Sequence, residues 1–94
     1  MFDSKLWQLK WDLRNISPYL VNSIEVDGKS IDSEKLFIVF SLFDKRYTIQ
    51  VTVNEMTDLY DISVSEFGFG IMQTITTDDA KACIENILAK YTNL

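Results

Sequence analysis

The sequence predicts an α+β domain, an antiparallel sheet of four to five strands packed by an N-terminal and a C-terminal helix. Three observations carry that expectation. Residues 36–53 run from an apolar stretch, Leu36 to Phe43, through the polar link Asp44-Lys45-Arg46 into strict alternation from Tyr47 to Val53, the pattern of a hairpin. Residues 80–91 set Ala80, Cys83, Ile84, Ile87, Leu88 and Tyr91 at helical spacing. Only three Gly and one Pro occur in 94 residues, so regular elements with short connections fill a single domain, residues 1–94.

From the N-terminus, residues 4–16 support two periods. Leu6, Leu9, Leu13 and Ile16 form a helical stripe, whereas Trp7, Leu9, Trp11 and Leu13 alternate as in a strand. Composition decides for the helix: Ser4 to Asn15 holds no Val, Ile or Thr, while Leu, Lys, Gln and Arg are good helix formers. Asp3 or Ser4 is the expected N-cap. At about 100° per residue, Trp7 and Trp11 fall opposite the leucines, flanked by Lys10 and Arg14. A helix apolar on two sides is either sandwiched within the chain or offers one side to a partner. Paired Trp beside Arg is the composition of an interface anchor.

Ser17-Pro18 ends this helix, because the residue before proline is pushed out of the helical region. Tyr19 to Val26 reads as a strand. Asp27-Gly28 is expected to form a type I′ turn into Lys29-Ser30-Ile31, and Asp32 to Lys35 a polar link. The apolar stretch after it should be a strand covered on both faces. Asn54 to Asp58 carries turn chemistry, and Leu59 to Glu66 is the next strand, with Tyr60, Ile62 and Val64 inward. Its outward Asp61, Ser63 and Ser65 should share a polar face with Thr48, Gln50 and Thr52.

Phe67-Gly68-Phe69-Gly70-Ile71 admits two readings: a surface for a docked strand, or a tight turn or bulge that lets the last helix sit close. Thr76 or Thr77 can cap that helix, with Asp78 and Asp79 at its positive end. The helix should cover Tyr47, Ile49, Val51, Val53, Tyr60, Ile62 and Val64. Cys83 lies in its apolar stripe and reads as a small hydrophobe, not a nucleophile.

Charge is distributed unevenly. Net charge is −5, and residues 47–80 hold no base but the acids Glu55, Asp58, Asp61, Glu66, Asp78 and Asp79. Such a stretch repels nucleic acid and anionic lipid and favours a basic protein partner. The chain has no His and one Cys, which removes the usual acid/base group, the commonest metal ligand and any internal disulfide. No enzyme activity and no cofactor are expected. The single Cys, with no secretion-type N-terminus, leads to an expectation of a cytoplasmic protein.

Two functions fit these observations. One is a small acidic inhibitor or immunity-type protein for a toxin or nucleic-acid enzyme, with candidate partner-binding residues Trp7, Trp11, Arg14, Glu55, Asp58, Asp61 and Glu66. The other is a homodimeric chaperone or assembly module, using the Trp7/Trp11 face or a sheet edge.

Overall fold

A computed structural model describes residues 5–16, 20–28 and 34–92, and in them the α+β arrangement is present. Helix α1 spans Lys5–Asp12. Five strands follow, β1 (Val21–Asp27), β2 (Lys35–Leu42), β3 (Lys45–Asn54), β4 (Leu59–Glu66) and β5 (Gly70–Thr77), then α2 (Ala80–Thr92). The strands pair antiparallel in chain order, β1-β2-β3-β4-β5, so each neighbour in sequence is a neighbour in space.

Alternation decides which side of each strand is buried. Leu36, Ile38 and Phe40 stand beside Val51, Ile49 and Tyr47, which stand beside Ile62, Val64 and Glu66. Leu6, Leu9 and Leu13 from the N-terminal segment and Ala80, Ile84, Ile87 and Leu88 from α2 join these strand residues in one core. Each fully buried aliphatic side chain contributes roughly 1.5–3 kcal/mol. The other side of the sheet has the expected polar pairs Thr48–Ser65, Gln50–Ser63 and Thr52–Asp61. Phe37 and Val39 share that side and are half-buried, so β2 is packed by helices on one face, not on two.

Several local expectations shift. Helix α1 stops at Asp12, and the bonds Leu13 N–H to Lys10 O (3.2 Å) and Ile16 N–H to Leu13 O (2.9 Å) tighten the chain beyond it. Ser4, Asp3 and Ser17-Pro18 lie outside the described residues. The β1–β2 ladder closes with Asp27 opposite Lys35, so the connection runs over 28–34 and is not a two-residue turn. Lys29 to Asp32 lie outside the described residues.

The β2–β3 turn is Phe43-Asp44, one residue earlier than the polar link suggested, with Leu42 opposite Lys45. Phe43 takes φ 57, the left-handed backbone that primed hairpin turns demand. Gly68 in the β4–β5 turn and Gly70 at the start of β5 take φ 92 and 88, yet a side chain built on either would meet nothing within 4 Å. The turn reading therefore holds, but the glycines serve backbone conformation and not close approach of the last helix.

Asp79 caps α2. Its Oδ1 accepts the Ala82 N–H at 3.1 Å, while Thr76 belongs to β5 and donates to Asp61 at 2.9 Å. Thr77 Oγ1 in turn accepts the Asp79 N–H at 3.1 Å. The acid supplies both the capping acceptor and the negative charge suited to the helix start. No helix among the described residues is long and apolar enough to cross a membrane.

Candidate functional site

Trp7, Trp11 and Arg14 come together. Trp7 and Trp11 share one side of α1 because Leu6 and Leu9 hold its other side in the core, and Arg14 follows just beyond the helix end. The Arg14 guanidinium lies 4.2 Å from the Trp11 ring centre and donates to the Trp11 carbonyl at 2.7 Å. Lys10 sits 5.1 Å over Trp7. Trp11 is 62 % exposed, so the pair is offered outward and not sandwiched. Together with Ile16, Val21 and Ile24, the indoles line a groove of about 540 Å³ along β1.

The carboxylates of the base-free stretch divide by position along the strands. In a meander the β3–β4 turn and the β5–α2 junction share one end of the sheet, and the β2–β3 and β4–β5 turns share the other. Glu55 and Asp58 occupy the β3–β4 turn, Asp61 follows at the start of β4, and Asp78 and Asp79 sit at the junction. Asp27 and Glu34 reach this end from β1 and from the approach to β2. Lys35 stands opposite Asp27, Lys5 is ion-paired with Asp58, and Lys81 is the second residue of α2.

The turn itself is held by Asn54. Its side-chain oxygen accepts the Met56 N–H at 3.0 Å, and its carbonyl accepts the Asp58 N–H at 2.7 Å. Asp58 takes φ 60, and its exposed carboxylate pairs with Lys5 of α1.

Glu66 stands apart. It lies five residues along β4 from Asp61, about 17 Å at strand rise, at the end that carries Asp44, Lys45, Arg46 and Lys90. There it faces Tyr47 and Tyr91. Burial, reinforced by Glu66, holds the Tyr47 hydroxyl above its ordinary pKa. Burial, reinforced by Tyr47 and Glu66, does the same to Tyr91. The tryptophan groove and the acidic turn also lie on opposite flanks of α1, since Lys5 reaches Asp58 and Tyr60 while Trp7 and Trp11 face β1.

Cys83 is half-buried, and burial raises its thiol pKa, with Lys90 opposing and Asp79 adding to the shift. At neutral pH it stays a thiol, as its place in the apolar stripe suggests. Among the described residues no group of three or more His, Cys, Asp or Glu is arranged to hold a metal ion.

Two exposed features lie outside the predicted contact residues, although Phe67 and Phe69 fall in the stretch that the sequence offered as a docking surface. One is an aromatic end, where Phe43, Phe67 and Phe69 protrude from adjoining turns and are each more than four-fifths exposed. The Phe67 N–H bonds the Arg46 carbonyl at 2.9 Å and ties the two turns together. The other is strand β5 and the groove of about 640 Å³ between it and α2, lined in part by Ile75, Cys83 and Ile87. The available signal was the β-branched run Thr74 to Thr77. No known protein family, curated protein or solved structure matches the chain.

Proposed function

We propose that this protein is a non-enzymatic, inhibitor-like or immunity-type binding module whose acidic end engages a basic protein. One observation supports the reading: antiparallel folding gathers Glu55, Asp58, Asp61, Asp78 and Asp79 at a single end of the sheet. Charges of one sign on one surface focus the field there and raise encounter rates with a cationic partner. Lys5, Lys35 and Lys81 reduce this field without cancelling it, since Asp27 and Glu34 add to the acids at the same end. A toxin or nucleic-acid enzyme with a cationic groove has the matching chemistry. The exposed Trp7, Trp11 and Arg14 offer a separate anchor for affinity.

The test is capture from a native lysate at low and high salt, with the wild type beside a Glu55→Gln, Asp58→Asn, Asp61→Asn variant. Asn at position 58 tolerates the left-handed backbone. Retention of a basic protein that is lost both at high salt and in the neutralised variant supports the reading. Capture indifferent to both changes removes it.

A further inference from the structure

The two edges of the sheet are built differently. Strand β1 carries Glu25 and Asp27, breaks register after Val21, and is flanked by the α1 groove. Those are the usual means by which an edge strand is kept from pairing with another chain. Strand β5 has none of the charged ones: Gly70 to Thr77 reads Gly-Ile-Met-Gln-Thr-Ile-Thr-Thr, eight residues without a charge or a proline. Ile71 is 70 % exposed and Met72 is 54 % exposed. One register irregularity opposite Val64 and Ser65 leaves the run from Gln73 to Thr77 regular. Among the described residues no strand covers its outer side.

Helix α2 and its cap Asp79 adjoin this edge, and Asp79, Ala82, Cys83, Asn86, Ile87 and Lys90 line the groove between them. The order of these residues is self-complementary under reversal. If the stripe meets a reversed copy of itself, Asp79 falls opposite Lys90 and Cys83 opposite Asn86, while Ile87 stays against its own sheet. Asp79 and Lys90 are eleven residues apart on one helix, about 16 Å at helical rise, too far to pair with each other. Both are exposed. Asp79 also caps its own helix through Oδ1, and a two-fold axis would bring this acid and the base at the other end of the stripe together.

We propose that β5 and the adjoining stripe of α2 form an isologous interface with a second copy of this chain. The β5 strands pair antiparallel about an axis near Thr74, which joins the two sheets into one of ten strands. An axis perpendicular to the sheet keeps both α2 helices on the same face and runs them antiparallel, which is the arrangement the Asp79–Lys90 complementarity requires. Ile75 gains the partner's Gln73 as a neighbour, and the β5–α2 groove is closed by the symmetry-related α2. The β3–β4 turn with Glu55 and Asp58 stays away from this interface, and Asp79 is the residue that belongs both to the interface and to the acidic end.

Sedimentation equilibrium of the full chain across the micromolar range tests it, with Thr74→Lys, Lys90→Glu and Trp11→Ala variants checked for folding by circular dichroism. Thr74 and Lys90 are exposed, so these substitutions leave the protomer intact. Lysine near the axis faces its own copy, and Glu at position 90 faces Asp79, so each variant should weaken the dimer by about tenfold or more. Trp11→Ala should sediment as the wild type. A wild-type monomer throughout this range overturns the proposal. So does a dimer that survives both charged variants, or one that dissociates with Trp11→Ala, which would place the self-interface on the α1 face.

Discussion

Tyr91 in the last turn of α2 places its ring 4.8 Å from that of Tyr47 on β3, tilted by 52°. Phe40 completes the cluster, stacked on Tyr47 at 5.0 Å and edge-on to Tyr91 at 5.1 Å. The three rings fasten the far end of the helix to the centre of the sheet, while Ala80 and the Asp79 cap secure its beginning. Aromatic pairs of this geometry contribute about 0.5–1.5 kcal/mol each beyond area burial. Tyr91→Ala should therefore cost about 2–3 kcal/mol in urea denaturation, and Tyr91→Phe much less. An unchanged midpoint for Tyr91→Ala would show that the helix is held elsewhere.

The same cluster sets a pH dependence. Burial raises the Tyr47 and Tyr91 pKa above the ordinary 10.0, so the folded state favours the neutral phenols. Their stabilising effect is fully present below the unfolded value and is lost as pH rises through the folded one. Stability should be insensitive to these groups at pH 8 and fall above pH 10.0. Tyr91→Phe should flatten that fall in denaturation curves taken on both sides of the window; an equally steep decline would assign it to other groups.

Ile87 is 1 % exposed and lies against the sheet. Ile87→Asp buries a carboxylate without a partner and should abolish cooperative unfolding, a loss of several kcal/mol. Circular dichroism and solubility report it directly. A folded, soluble variant would mean that α2 does not dock through this residue.

Phe43 is 88 % exposed and holds a left-handed backbone, which disfavours any side chain by about 1–2 kcal/mol. Little of its ring is buried in return. Phe43→Gly should raise stability by up to about 1 kcal/mol, since the turn geometry is preserved and the strain removed. A lower melting midpoint in this variant would mean the ring packs on its neighbours in solution.

Legibility differed from segment to segment for physical reasons. Strand β4 was readable at both bounds because polar turn residues flank a clean alternation, Tyr60, Ile62 and Val64 against Asp61, Ser63 and Ser65. In residues 4–16 two periods competed, and the missing β-branched residues pointed correctly to a helix. The β1–β2 connection misled, because Asp27-Gly28 is a strong local turn signal while the ladder that ends beside it is chosen by cross-strand packing. Of the candidate contact residues, Trp7, Trp11 and Arg14 were joined by helical spacing alone. Glu66 was grouped with Glu55, Asp58 and Asp61 by nearness in the chain, and the length of a strand carried it to the opposite end.

Side-chain period, a property of neighbouring positions, was enough to assign α1, the β2–β3 hairpin, β4 and α2 and to name most of the core. Which elements lie at an edge, and which turns share an end, depends on pairings between segments tens of residues apart. Those pairings follow from the joint burial of one sheet face beneath two helices. Only the assembled sheet therefore shows β5 as an uncovered edge beside a reversible charge pattern, and the acids of three separate segments as one surface.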